Sequence, residues 1–271
     1  MNNSRQPIFV LSCARSGSTL LRYIIDTHPD IACPPEIHLG MLSERLYQTL
    51  LFTHSDDGID PKKRVPERVR QVINDIMDEY CQQQKKSYWC DKSVTNIDRI
   101  QLIADVFPDA RYICLYRNCR DVMHSCLEIM KKDPQGAPRA FDWVSYLSGD
   151  GGNRTESFIE YWVDKTSSMV AFEARHKEQC FRLKFEELVK GTGNVVQSMF
   201  DFLNVPREPE LLRNIFLVPH AQGPGDHKIK RTTSIQADAV GKGGCLSLDA
   251  VSRVRMEKAN ALSGMLGYDR F

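Results

Sequence analysis

The sequence predicts an α/β fold: a central parallel sheet with helices on both faces, in a three-layer α/β/α arrangement. Three observations carry this. Short apolar runs recur at 7–11, 88–92, 111–116 and 180–185. Stretches of helical period lie between them, and the strongest polar clusters directly follow the runs. Strands alternating with helices imply right-handed crossovers and parallel pairing. In such sheets ligands bind beyond the carboxyl ends of the strands.

The elements follow in order. Pro7-Ile8-Phe9-Val10-Leu11 reads as a buried strand, and Leu20 to Asp26 has helical spacing that His28-Pro29 stops. Between them, Ser12 to Thr19 is small and polar. Ser43 to Phe52 is a short amphipathic helix, and His54 to Pro66, with Asp56-Asp57-Gly58 and two prolines, is a loop. Glu67 to Gln83 places Val69, Val72, Ile73, Ile76, Met77 and Tyr80 on one helical face. Tyr88 to Lys92 is a strand ending in charge, Ile97 to Phe107 a helix, and Arg111 to Tyr116 a third strand. Asp121 to Lys132 is helical through Val122, Cys126, Ile129 and Met130. Asp133 to Arg154, rich in Gly, Pro and Asp, reads mostly as a mobile loop. A long helix over 158–176, a fourth strand over 180–185 and helical segments to Leu203 follow. Residues 219–244 have no clear period, and 248–266 is a closing helix. The whole chain, 1–271, reads as one domain whose final stretch closes over the sheet.

Composition narrows the function. The 271 residues carry 36 Lys+Arg against 35 Asp+Glu, a net charge of +1, which argues against a nucleic-acid partner while leaving room for a focused anion site. The apolar stretch Ile8–Leu11 is too short for a leader core. No apolar run approaches the ~18 residues a membrane helix needs. A cytoplasmic location without membrane partners is therefore expected. Nine cysteines occur without a CxxC spacing, so buried thiols are expected and no metal site.

The loop Ser12-Cys13-Ala14-Arg15-Ser16-Gly17-Ser18-Thr19 joins a strand to a helix. Small residues let backbone N–H groups converge on an anion, and the helix N-terminus adds partial positive charge. Ser16, Ser18 and Thr19 add hydroxyls, and Arg15 adds a planar fork suited to phosphate oxygens. The spelling is neither Walker A, since no Lys follows Gly17, nor a dinucleotide GxGxxG, nor a cysteine-phosphatase loop, since position 19 is Thr. After the third strand, Arg117-Asn-Cys-Arg120-Asp121-Val-Met-His124-Ser125 forms a second candidate anion site, in which Ser125 faces back toward Arg117. Arg120 and Asp121 read as a surface ion pair, with Asp121 able to cap the helix.

Together the two motifs, the loop at 12–19 and the R-x-x-R-D-x-x-x-S run from Arg117 to Ser125, resemble sulfotransferases that use 3′-phosphoadenosine 5′-phosphosulfate (PAPS, which leaves as PAP). The resemblance covers roughly residues 7–245. His28-Pro-Asp-Ile-Ala-Cys33-Pro-Pro-Glu36-Ile-His38 is similar to a segment of tyrosylprotein sulfotransferases in which a Glu is the base. Trp89-Cys90-Asp91-Lys92 is similar to their Cys-Asn-Lys segment, and Lys230-Arg231-Thr232-Thr233 to a late Arg-Ser-Thr segment. Ala14 stands where that family commonly has Pro, Phe185 where it often has Tyr, and Ile129 where it has a basic residue.

The resemblance implies a P-loop NTPase-like sulfotransferase fold and no metal. It assigns the 5′-phosphosulfate to Arg15, Ser16, Gly17, Ser18 and Thr19, and the 3′-phosphate to Arg117 and Ser125. Arg231, Thr232, Thr233, Lys242 and Gly243 would complete the donor site, with Lys242-Gly243-Gly244 equally readable as a surface turn. Glu36 is the expected base, His38 its backup, and Lys92 the group that neutralises the departing phosphate. Trp89 and Phe185 are adenine packers or core residues. The acceptor implied is a small molecule with a hydroxyl or nitrogen, closest to those of bacterial enzymes that decorate natural products. Its pocket would come from segments 39–66, 133–155 and 219–245. There Asp142, Asp150 and Asp226 either favour a cationic acceptor, such as a guanidinium alkaloid, or are solvated loop charges. Cys33 and Cys90 fall where secretory relatives have a disulfide. Here they are expected to be neighbouring thiols. A P-loop-type kinase and a non-catalytic PAP-binding module are the competing readings.

Overall fold

The computed structural model describes residues 6–53, 61–141, 143–148, 153–206, 208–223, 229 and 231–270. Its centre is a parallel sheet of β1 (Ile8–Ser12), β2 (Ile31–Ala32), β3 (Tyr88–Asp91), β4 (Arg111–Tyr116) and β5 (Cys180–Lys184), in the order β2-β3-β1-β4-β5. Alternate residues of β1 explain both faces. Phe9 and Leu11 pack with one buried cluster, and Ile8 and Val10 with the other. Strand β2 was not expected. Its two residues are too few to show a period, and only its pairing with Tyr88 and Trp89 makes it a strand.

One face is covered by α2 (Leu39–Thr53), α3 (Pro61–Gln84), α4 (Ile100–Val106), α5 (Cys119–Lys132) and α8 (Arg154–Arg175). The other is covered by α1 (Ser18–Thr27), α9 (Phe185–Lys190), α10 (Thr192–Leu203) and α11 (Leu211–Asn214). Two expected loops are partly helical. Helix α3 begins at Pro61, inside the stretch read as loop, with Pro66 in the helix. Within 133–154 lie α6 (Gly136–Ala140) and α7 (Val144–Leu147). Between them Trp143 is fully buried against Phe141, Phe158 and Tyr161. One aromatic anchor thus orders a segment whose composition suggests mobility.

The C-terminal region is bound to the rest at several points. The closing helix α12 (Arg253–Met265) places Arg255 on Glu156 and Glu160 of α8. Tyr268 donates to Glu186. Asp26 accepts from the Cys33 N–H at 3.0 Å, pairs with His220 Nδ1 at 2.7 Å and faces Lys86 at 3.5 Å. Burial pushes its carboxyl up, but the His220 bond and the Lys86 ammonium outweigh that and hold it below the usual value. Among the described residues no helix is long and apolar enough to cross a membrane. Cys33 and Cys90 are buried free thiols. Burial, and then the interaction with Cys33, pushes the Cys90 thiol well above its ordinary value.

Candidate active site

The turn from β1 into α1 has an unusual backbone. Arg15 (φ 69°) and Gly17 (φ 89°) both lie in the left-handed region. At Gly17 this is doubly demanding, because a Cβ would stand 2.3 Å from the Phe185 ring. The Ala14 N–H is held by Tyr161 Oη of α8 at 2.8 Å. That leaves the 15–19 stretch to arch over the end of the sheet, at the N-terminus of α1.

Strand β4 delivers the second group. Arg117 is buried where the strand ends, and its two terminal nitrogens donate to the carbonyls of Arg15 and Ala239, each at 2.7 Å. Its guanidinium lies 4.4 Å from the Phe185 ring centroid. Burial pulls its pKa down, and the charges of Asp121 and Glu186 oppose that. Its Nε is buried without a hydrogen-bond partner. Ser125, on α5, was expected to face back toward Arg117. Its hydroxyl accepts from Arg15 Nε at 3.2 Å instead, since one helical face brings it over the first loop. Arg15 also stacks over Phe141 at 5.6 Å. Two motifs a hundred residues apart in sequence therefore meet through Arg15, Arg117 and Ser125.

Arg120 and Asp121 do not pair with each other. Arg120 donates to the carbonyls of Gly243, Gly244 and Leu246, and Asp121 accepts from the N–H groups of Gly241 and Gly243. The helix cap is Asn118, whose side chain accepts from the Arg120 N–H. The pair is thus a clamp on the 241–246 turn. Gly243 is required there because a Cβ would fall 2.2 Å from the Arg120 carbonyl carbon. Lys242 reaches the cavity and pairs with Asp238 at 3.1 Å.

A third group lies across the cavity. Lys92, at the end of β3, is almost fully buried and puts Nζ 2.5 Å from Glu36 Oε1. The Val94 N–H approaches Glu36 Oε2 at 3.5 Å.

These groups border a cavity of about 370 Å³. Of the residues read from sequence, Arg15, Gly17, Ser18, Thr19, Glu36, Arg117, Ser125, Thr232, Lys242 and Phe185 line it. Others do not. Ser16 is buried beneath the loop, and Lys92 touches the cavity only through Glu36. Arg231 and Thr233 are exposed outside it, with Ser234 taking a lining position. Gly243 packs on Arg120. His38 is bonded to Thr95 at 2.9 Å instead of facing the cavity. Trp89 packs edge-on against Phe9 and Phe107 in the core. Lys230, Asp142, Asp150 and Asp226 lie outside the described residues.

The cavity also recruits Ile129, noted from sequence only as a departure from the family pattern, and Glu128, Lys132 and Phe141, which the sequence did not single out. The three on α5 share the helical face of Ser125, a periodicity that could have found them. Phe141 and the loop's anchor Tyr161 carried no local signal.

A model of the sulfotransferase family matches residues 7–209. The chain is similar to Protein-tyrosine sulfotransferase 1 of Danio rerio, 25% identical over 240 residues, covering 86% of this chain and 62% of that one. It is also similar to the protein-tyrosine sulfotransferase of Drosophila melanogaster, 24% identical over 247 residues, with 86% of this chain and 44% of that one. The chain thus spans less than two thirds of these relatives' length. Among solved structures, the sulfotransferase domain of the Synechococcus PCC 7002 olefin synthase superposes with a TM-score of 0.71 at 22% identity, covering 98% of this chain and 97% of that one. The sulfotransferase domain from the curacin biosynthetic pathway gives the same TM-score and identity over 98% and 99%. Both have the same fold.

Proposed function

The chain belongs to the sulfotransferase family, and from that premise we propose that it moves a sulfuryl group from PAPS to a hydroxyl or nitrogen of a small-molecule acceptor. The observation that carries the reading is the meeting of Arg15, Arg117 and Ser125 at one end of a cavity whose wall holds the buried Glu36–Lys92 pair.

The residues present fit the donor. Arg117 Nε is a buried donor without a partner beside a cavity lined by Ser125, which suits a phosphate oxygen. The arch at 15–19, with its two left-handed residues, suits the phosphosulfate. When bound, PAPS supplies an SO₃ group on a phosphate leaving group. The protein's part is positioning and charge stabilisation, as in phosphoryl transfer. Arg15, Ser18 and Thr19 would hold the anionic end of the donor, and Arg117, Ser125 and Lys242 its other phosphate. Glu36 takes the acceptor's proton, a contribution of ~10²–10⁴ in rate. Lys92, held against Glu36 behind the cavity wall, would supply positive charge toward a leaving oxygen that develops negative charge. Val94, Ile129 and Phe141 give the acceptor an apolar wall. The two domains of matching fold belong, by their descriptions, to an olefin synthase and to curacin biosynthesis, which supports a natural-product acceptor. The tyrosine-directed relatives are matched over only part of their length. A single domain acting in the cytoplasm completes the proposal.

The test is transfer from sulfur-radiolabelled PAPS to a panel of alcohols, phenols and amines, with PAP affinity measured by calorimetry. Glu36→Ala and Lys92→Ala should each abolish transfer while PAP still binds. Unchanged transfer in both would overturn the mechanism. PAP binding without transfer to any acceptor would leave a nucleotide-binding module, and magnesium-dependent ATP turnover a kinase.

A further inference from the structure

Glu36 sits just before α2, on a segment whose backbone is strained at one point. His38 has φ 55°, a left-handed conformation that residues with a Cβ seldom adopt. Helix α2 begins at Leu39, so the N–H groups of His38, Leu39 and Gly40 have no partner within the helix. All three are satisfied from a single distant stretch, 91–96. The His38 N–H donates to Ser93 Oγ at 2.9 Å, that of Leu39 to Asp91 Oδ2 at 3.0 Å, and that of Gly40 to Asn96 Oδ1 at 3.0 Å. A Cβ on Gly40 would lie 2.9 Å from that same Asn96 oxygen.

Asp91 organises the other two caps. Its Oδ1 accepts from Ser93 Oγ at 2.6 Å, and its Oδ2 from Asn96 Nδ2 at 2.8 Å. The residue is fully buried and lies in register with Phe9 in the middle of the sheet. Its neighbour in sequence is Lys92, and Val94 N–H, from the same stretch, faces Glu36. One side chain on a rigid strand therefore connects the segment bearing the carboxylate to the segment bearing the ammonium.

We infer that Asp91 is a positioning residue: through Leu39, Ser93 and Asn96 it holds the strained 36–40 turn so that Glu36 meets both Lys92 and the acceptor. It touches neither substrate nor reacting atom. Burial pushes its carboxyl above the usual value, against the Ser93, Asn96 and Leu39 bonds. The role depends on hydrogen-bond acceptance more than on charge. An amide at position 91 keeps an oxygen for Leu39 and Asn96 and offers Ser93 a donor in place of an acceptor. The inference rests on the reading of Glu36 and Lys92 as the reacting groups.

The test uses the full chain, sulfur-radiolabelled PAPS and the panel acceptor with the fastest turnover. Displacing a catalytic group by 1 Å can cost ~10² in rate, so Asp91→Ala should lower kcat by about that factor. PAP affinity and KM for PAPS should stay unchanged, because Arg15, Arg117 and Ser125 are not disturbed. Asp91→Asn should recover most of the loss, which a purely electrostatic role would not allow. Ser93→Ala removes the partner of the His38 N–H and one of the donors to Asp91, leaves the Leu39 and Gly40 caps, and should lower kcat less, again with PAP affinity intact. It decides the matter if Asp91→Ala does not fold. Wild-type kcat in Ser93→Ala and in any folded Asp91→Ala overturns the inference. So does an Asp91→Asn no better than Asp91→Ala, or parallel losses of kcat and PAP affinity. If Glu36→Ala turns over normally, or no acceptor reacts, the underlying reading has failed. If Glu36→Ala is dead while the Asp91 and Ser93 variants are fully active, only the positioning inference has failed.

Discussion

Replacing Lys92 by Met takes the cation from a carboxylate that has little access to water. The side chains of Lys92 and Glu36 are 1% and 7% exposed, and their charged atoms are 2.5 Å apart. At an effective dielectric of about 20, that separation is worth about 6–7 kcal/mol of Coulomb attraction, most of it offset by the cost of desolvating both charges. Removing one partner exposes the asymmetry: the remaining buried charge costs ~3–5 kcal/mol. For a chain of this size that lowers Tm by about 10 °C. Glu36→Gln alone should cost a similar amount. The double variant Lys92→Met/Glu36→Gln should regain most of the stability, because neither charge is left buried alone. Transfer should stay at least ~10² below wild type in all three variants, because the Glu36→Gln proteins lack the base and Lys92→Met lacks the cation that the leaving oxygen needs. Thermal unfolding and sulfuryl transfer measured on the four proteins separate the two roles. Activity that returns with stability in the double variant would refute the catalytic role. Single variants within about 1 kcal/mol of wild type would refute the buried-pair energetics, that being the size expected of a solvent-screened pair.

Gly17→Ala must place a Cβ against the Phe185 ring at a left-handed position. It should cost ~1–3 kcal/mol and weaken PAP binding, both readable by calorimetry. Phe185→Ala removes the ring under Arg117. It should lower stability by ~3–5 kcal/mol and reduce PAP affinity, and Phe185→Tyr should do neither. Asp26 has a depressed carboxyl, so its contribution to stability is present above its unfolded value and lost as pH falls through the lower folded value. Denaturation of Asp26→Asn against pH should therefore show a flatter acid limb than wild type below about pH 4. Cys13 is pushed up to about 12 by burial, whereas Cys245 is exposed. Alkylation of the native protein at pH 8, followed by mass mapping, should find label at Cys245 and none at Cys13.

The alternation of apolar runs with helical periods was enough for the layered fold, because burial on a strand or helix repeats at short range in the chain. The turn after β1 was legible for the same reason: Ser12 to Thr19 is contiguous, and its small residues, glycine and arginine describe one turn. Four strands could be read and β2 could not, since two residues make a strand only when Tyr88 and Trp89 lie beside them. The short helices at 136–140 and 144–147 were not legible, because Trp143 between them is fixed by burial against residues of α8.

Short-range patterning alone fixes which local units exist, and that the 12–19 turn, Arg117 and Lys92 all fall at the ends of strands. The tertiary structure alone decided which side chains meet. Insertion of β3 beside β1, with Phe9 level with Asp91, carries Lys92 to Glu36 and lets the 91–96 stretch cap α2. It also turned Ser125 to Arg15 and converted Arg120 and Asp121 from an apparent ion pair into a clamp on the 241–246 turn. Residue patterns record the burial each segment needs. Strand order and register, set by the packing of the whole sheet, choose the partners.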